Sequence, residues 1–207
     1  MDAITLYRHP LSGNSHRVEA LLSFLGLETH LVDVDLMAGE QRQPEFLALN
    51  PNGQVPVLVD GDVVLTESNA ILVYLATKYD VNRNWLPTQP EAAAKVQQYL
   101  SLTANEIQNG PAAARLVTLF GAGLDHQAVI NAAHKTLGFI NAQLRHHDWL
   151  AGQEPTLADI AVYAYVAHAP EGNVSLDAYP KILAWLTRFE SLKGFVPMQS
   201  SAVGLAA

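Results

Sequence analysis

The 207-residue sequence contains no cysteine. Disulfides, thiolate metal sites and any mechanism that uses a protein thiol as nucleophile are therefore excluded. No uninterrupted apolar segment approaches the roughly 18 residues of a bilayer span, and the opening Met1-Asp2-Ala3-Ile4-Thr5-Leu6-Tyr7 lacks the basic stretch and apolar run of a secretory leader. The expectation is a cytoplasmic protein with no membrane partner. Basic residues are few, 12 Lys and Arg against 20 Asp and Glu with no basic run, which argues against nucleic acid as a partner. The eight histidines are scattered. The one adjacent pair, His146-His147, would not face one another on a helix, so no metal site is expected. What is present is an apolar content of 49%, ample for one large or two small packed cores.

Taken in order, Ile4 to Tyr7 is a strand candidate, followed by a polar loop through His9-Pro10-Leu11-Ser12-Gly13-Asn14. Val18, Leu21, Leu22 and Leu25 then recur at helical spacing, and Gly26 fits a left-handed C-terminal cap. His30 to Asp35 alternates, with Val32 and Val34 on one face, so strand, helix and strand imply a right-handed parallel βαβ unit. Val57 to Leu65 reads as a hairpin with Asp60-Gly61 at a two-residue turn. A helix from about Glu67 to Lys78 follows, aligning Ile71, Leu72, Leu75 and Tyr79. The order βαβ then ββα matches a thioredoxin-like domain over residues 1–79. Residues 80–90, with Trp85-Leu86-Pro87, read as a linker.

Residues 91–207 read as all-helical. Glu91 to Gln108 is expected to stop at Gly110-Pro111, with a weak continuation to Phe120 and a loop at Gly121 and Gly123. Asp125 is a plausible N-cap for a long amphipathic helix carrying Val129, Ala133, Leu137, Ile140 and Leu144. Thr156-Leu157-Ala158-Asp159 has the form of a capping box, with Pro155 and Ile160 as a candidate staple, ahead of a buried helix over Ile160 to Ala167. That apolar run reads as core, with no ligand. A last helix starts at Tyr179-Pro180.

The stretch Leu49-Asn50-Pro51-Asn52-Gly53-Gln54-Val55-Pro56-Val57 carries more than fold. Proline cannot donate to a sheet ladder, so Pro56 implies a kinked strand entrance that leaves the Val55 N–H and C=O for an extended peptide. The hairpin returns Glu67-Ser68 to the same place. Free N–H groups at the helix start attract a carboxylate, the Ser68 hydroxyl can donate to it, and Glu67 can take an ammonium. One amino-acid zwitterion beside one peptide backbone describes a small peptide ligand. The same residues also fit a plainer account, with Thr66 or Ser68 as N-cap, Glu67 as a charge complementing the helix dipole, and Pro56 merely delaying the strand.

Asn50-Pro51-x-Gly53-Gln54-Val55-Pro56 with Glu67-Ser68-x-Ala70-Ile71 resembles the glutathione-binding half of cytosolic glutathione transferases. The Thr-x-x-Asp box before a buried helix is similar to their C-terminal domain, so the resemblance covers nearly the whole chain. It implies an α+β protein, a thioredoxin-like domain followed by an all-α domain, with glutathione as co-substrate. It places the cysteinyl unit on the backbone of Val55 and a cis Pro56, beside Gln54, and the γ-glutamyl end on Glu67 and Ser68.

Glutathione chemistry needs a thiolate, which a hydroxyl donor can favour. The run from His9 to Val18 is similar to the serine-type loop of the phi and theta classes, which puts that hydroxyl on Ser12. Tyr7 is the rival, because other classes use a tyrosine at the end of this strand, and Ser15 and Asn14 are further candidates. Ser12 can equally be a loop or N-cap serine without chemistry. The segment Glu40-Gln41-Arg42-Gln43 aligns with a His-Lys pair of the phi class, which points to Gln41 and Arg42 for the glycyl carboxylate, although a solvated loop fits as well. Ser12-Gly13-Asn14-Ser15 departs from the cysteine-bearing zeta motif and from members with a catalytic cysteine. The resemblance, of a bacterial member, implies a cytoplasmic detoxifying homodimer that conjugates glutathione to a small hydrophobic electrophile, with peroxidase activity compatible. Pro10, Leu11 and the helices around Asn105 to Leu116 are expected to border the electrophile. The alternative is a non-catalytic binding or interaction module of the same fold.

Overall fold

The computed structural model describes residues 4–207; Met1-Asp2-Ala3, part of the segment read above as lacking a leader, lies outside them. Two compact units form, one from the residues up to Asn82 together with Lys193–Gln199, the other from Arg83–Leu192 together with Ser200–Ala207. Among the described residues no helix is long and apolar enough to cross a membrane.

In the first unit the order is β1 (Ile4–Arg8), α1 (Gly13–Phe24), β2 (Thr29–Asp33), a 3₁₀ turn at Glu40–Arg42, α2 (Pro44–Leu47), β3 (Val57–Asp60), β4 (Val63–Leu65) and α3 (Ser68–Tyr79). The sheet runs β2-β1-β3-β4, with β1 and β2 parallel and the other two pairs antiparallel. Alternation along β1 buries Ile4 and Leu6 and turns Thr5 and Tyr7 to the opposite face. Buried Phe46 of α2 joins Val34 and Val57 in a cluster, with Tyr7, Leu36, Leu49 and Val55 packed against it. Helix α1 packs on α3. It ends as its sequence suggests: Gly26 takes φ 65°, and the Leu27 and Gly26 N–H groups donate to the Leu22 and Ser23 carbonyls.

The hairpin turn lies one residue later than expected. Asp60 pairs with Val63, leaving Gly61-Asp62 as the loop, with the left-handed φ on Gly61. Asp60 stays in the strand because its carboxylate is held from α3, accepting from Tyr74 Oη at 2.8 Å, Tyr79 Oη at 2.6 Å and Lys78 Nζ at 2.7 Å. Burial alone would raise this carboxyl, but the hydrogen bonds from Lys78, Tyr79 and Tyr74 outweigh it and hold Asp60 below the usual range.

The second unit contains α4 (Pro90–Leu102), α5 (Ala113–Phe120), α6 (His126–Gln143), α7 (Leu157–Ala167) and α8 (Pro180–Glu190). The break expected at Gly110-Pro111 does not occur. Thr103–Ala112 continues the helix in wider, π-type winding, which carries Pro111 inside it and leads directly into α5. The wider turn relieves the clash of a proline ring with the preceding carbonyl. Gly110 serves packing instead of termination: a Cβ there would lie 3.0 Å from Ala133 Cα and 3.1 Å from Ala133 N of α6.

The capping box forms as read. Thr156 Oγ1 accepts from Ala158 N at 3.2 Å, and Asp159 Oδ2 accepts from Thr156 N at 2.9 Å. Asp159 is fully buried, and its Oδ1 also accepts from Leu150 N and Trp185 Nε1. Burial pushes its carboxyl up to about 6, against the pull of those donors. Nearby in sequence, Glu171 is buried against Arg115 and His168 and accepts from Ser201 N of the C-terminal segment.

Candidate functional site

The loop ahead of β3 is organised by Asn50, which is 3% exposed. Its Oδ1 accepts from Asn52 N at 3.1 Å, its carbonyl from Gly53 N at 2.9 Å, and its Nδ2 donates to the Gln54 carbonyl at 2.7 Å. Gly53 takes φ 60°, and a Cβ there would sit 3.0 Å from the Gln41 carbonyl oxygen, so glycine is required on both counts. This turn delivers Val55 and a cis Val55-Pro56 bond to the mouth of β3. Among the described residues no hydrogen bond engages the Val55 main chain.

Glu67 meets this loop in a strained conformation, φ 65° and ψ 104°, uncommon for a residue with a side chain. Its carbonyl accepts from Ile71 N, and its side chain, which is exposed, makes no capping bond. Ser68 is the first residue of α3 and is 7% exposed. Arg17 of α1, 2% exposed, donates from Nη1 to Ser68 Oγ at 3.2 Å and to Asn69 Oδ1 at 2.9 Å.

A small cleft of about 40 Å³ is lined by Asn14, Asn50, Gln54, Val55, Pro56, Glu67 and Ser68. It gathers Gln54, Val55, Pro56, Glu67 and Ser68, and adds Asn50 and Asn14 to its wall. Asn50 lay inside the motif read above, where it reads as a turn-former and gives no sign of its place in the cleft wall. The plainer reading, in which Thr66 or Ser68 caps α3, does not fit, since the N-cap position belongs to Glu67 and no side chain caps the helix.

Ser12 is the N-cap of α1, with Oγ accepting from Ser15 N at 3.2 Å and its own N–H donating to the His9 carbonyl at 2.9 Å. It does not line the cleft. Ser15 is buried, and its Oγ accepts from His9 N. Tyr7 points elsewhere: its ring meets Phe46 edge-on at 6.3 Å between centroids and borders a separate cleft of about 350 Å³ with Val32, Val34, Phe46 and Leu49. The two clefts share no residue. Gln41 and Arg42 line neither. Gln41 Nε2 reaches the Leu36 carbonyl at 3.4 Å, and Arg42 is exposed on the 3₁₀ turn.

The unpaired Val55 main chain, the Glu67 carboxylate and the buried Ser68 hydroxyl at the head of α3, all lining one small cleft, suit a short peptide with a zwitterionic end. On a thioredoxin-like unit followed by a helical one, they define the class of glutathione-binding transferase folds. Comparison with known proteins agrees. Residues 2–77 match the family model of the glutathione S-transferase N-terminal domain, and residues 125–193 that of the C-terminal domain. Glutathione S-transferase 3 of Zea mays is 38% identical over 197 residues, covering 89% of this chain and 88% of its own. A solved glutathione S-transferase from Pseudomonas fluorescens superposes with a TM-score of 0.89 at 34% identity, covering 95% of this chain and 99% of that one. A glutathione transferase homologue from Drosophila mojavensis, solved with bound glutathione, gives 0.86 at 28% identity over 93% of this chain and 89% of its own. The chain belongs to the glutathione S-transferase family.

Proposed function

We propose that this protein is a glutathione transferase that holds glutathione in the cleft between the Asn50–Pro56 loop and the start of α3, activates it as thiolate, and adds it to a small hydrophobic electrophile. The carrying observation is the convergence of Val55, Pro56, Glu67 and Ser68 on one cleft. The Val55 main chain pairs with the cysteinyl unit, Glu67 takes the γ-glutamyl ammonium, and Ser68 with the α3 N–H groups takes its carboxylate. Ser12, at the head of α1 where further N–H groups converge, donates its hydroxyl proton to the sulfur as charge accumulates. Gln41 and Arg42 lie on the 3₁₀ turn beside Gly53, which supports a supplementary role at the glycyl carboxylate. The working form is a cytoplasmic homodimer, with peroxidase activity on organic hydroperoxides drawing on the same thiolate.

The test is binding and turnover together. Calorimetry should detect glutathione, and a panel of electrophiles and hydroperoxides should be consumed in a glutathione-dependent way. Replacing Glu67 and Ser68 jointly by alanine removes two charge-assisted partners, each worth about 1.5 to 3 kcal/mol. Affinity should then fall beyond detection in a protein that still unfolds cooperatively. Unchanged affinity in the folded double variant would remove the assignment.

A further inference from the structure

Arg17 lies in the second turn of α1 and is 2% exposed, although a permanent charge is costly to bury. Its Nη1 donates to Ser68 Oγ at 3.2 Å and Asn69 Oδ1 at 2.9 Å, the side chains of the first two residues of α3. A serine hydroxyl has one proton and two lone pairs. With a guanidinium spending one lone pair, the proton cannot point back at Arg17 and is turned away from it. Ser68 lines the cleft, so that is where a ligand oxygen can meet the proton. The charge on the donor polarises the O–H further and strengthens whatever bond it makes to an anion. The Asn69 bond fixes the same guanidinium to the same helix start, so Arg17 and the α3 terminus are set as one piece.

We infer that Arg17 is a positioning residue that commits the Ser68 hydroxyl to act as a donor into the cleft, and thereby makes the site select a free carboxylate at the γ-glutamyl end over a neutral group. The inference rests on the reading of Ser68 under Proposed function. It assigns Arg17 no contact with the ligand: the side chain acts from beneath, through Ser68, and its loss should show as a loss of discrimination more than of binding as a whole.

Calorimetry with two ligands separates these effects: glutathione, and the otherwise identical tripeptide whose γ-glutamyl α-carboxylate is replaced by hydrogen. The parent protein should prefer glutathione. Arg17→Met, close in volume but without charge or donors, should reduce the ratio of the two affinities about ten-fold, the scale of one charge-assisted hydrogen bond, while kcat at saturating glutathione stays near the parent value. In a Ser68→Ala background the same substitution should leave the ratio where Ser68→Ala alone put it. Equal weakening of both ligands by Arg17→Met would overturn the inference and reduce Arg17 to core support. So would an undiminished effect in the Ser68→Ala background. If Ser68→Ala alone leaves both affinities untouched, the failure lies instead in the placement of the γ-glutamyl end, and the inference falls with it. Should Arg17→Met not fold, Arg17→Gln carries the comparison, with a smaller loss of ratio expected and an unchanged ratio overturning the idea.

Discussion

The Ser12 hydroxyl accepts from Ser15 N–H and so closes the first turn of α1, while its proton is committed to no protein group among the described residues. Capping a helix and donating to a sulfur are compatible because they use opposite ends of one hydroxyl. Ser12→Ala should therefore lower kcat about 10² to 10³-fold, leave glutathione affinity nearly intact, and move the pH profile of kcat/KM to higher pH because the bound thiol becomes a weaker acid. Loss of the cap should also cost about 1 kcal/mol of stability. Tyr7→Phe, on a side chain packed edge-on against Phe46, should change turnover little. A collapse of turnover in Tyr7→Phe with rate and pH profile preserved in Ser12→Ala would transfer the role to the tyrosine. At this scale the sequence was most informative where residue type and spacing are both unusual, as in Gln54-Val55-Pro56 and Glu67-Ser68. It was least informative for Asn14, Asn50 and Arg17. Asparagine is an ordinary turn residue and arginine an ordinary helix-surface residue, and only the fold reveals that the asparagines line a cleft and that the arginine is buried and bonded to Ser68 in its wall.

Among the elements, α7 depends on one carboxylate. Asp159 Oδ1 serves Leu150 N and Trp185 Nε1, and Oδ2 serves Thr156 N. Asp159→Ala leaves these donors unpaired in the interior at about 1 to 3 kcal/mol apiece, so denaturant titration should show a loss of roughly 3 kcal/mol or more. Asp159→Asn should lie between, since it keeps the Oδ1 bonds but turns a second donor toward Thr156 N–H. The folded carboxyl sits near 6 against an ordinary 3.8, so folding favours its protonated form. Its contribution is full below about pH 4 and is lost as pH rises through about 6. Comparing the parent with Asp159→Asn across that window isolates the effect, and an identical pH dependence in both would refute it. This box was readable because capping is local in sequence. The fate of Gly110-Pro111 was not: both residues are helix breakers by local rule, whereas winding and close approach to Ala133 are decided by a partner helix some twenty residues on. Gly110→Ala should improve helix propensity yet destabilise the protein by about 1 to 3 kcal/mol through overpacking against backbone. A gain in stability would show that α6 yields there.

For the whole molecule, the family's N-terminal domain matches residues 2–77, within the first unit, and both units carry packed cores of their own. A homodimer is expected, and sedimentation at micromolar concentration checks it; a monomer with full activity would detach assembly from function. The division of the chain into a thioredoxin-like part and a helical part was visible in its periodicities, which switch from mixed strand and helix to helix alone. The membership of Lys193–Gln199 in the first unit was not. That segment has no period. It is held by His16 Nε2, 2.8 Å from the Val196 carbonyl, and by Ser23 Oγ donating to the Gly194 carbonyl at 2.7 Å, with Gly194 at φ 93°.

That attachment has a consequence for synthesis. A chain grows from its N-terminus, and N-terminal domains generally fold first, while later residues are still being added. Here the α1 side chains of His16 and Ser23 await partners that lie 180 and 171 residues further along the chain. A ribosome stalled after Leu192 would carry the complete sheet with α1 lacking these two hydrogen bonds. Nascent chains arrested there should be cut by protease near α1 faster than chains extended well past Gln199, and equal resistance would mean that the first unit finishes folding without Lys193–Gln199.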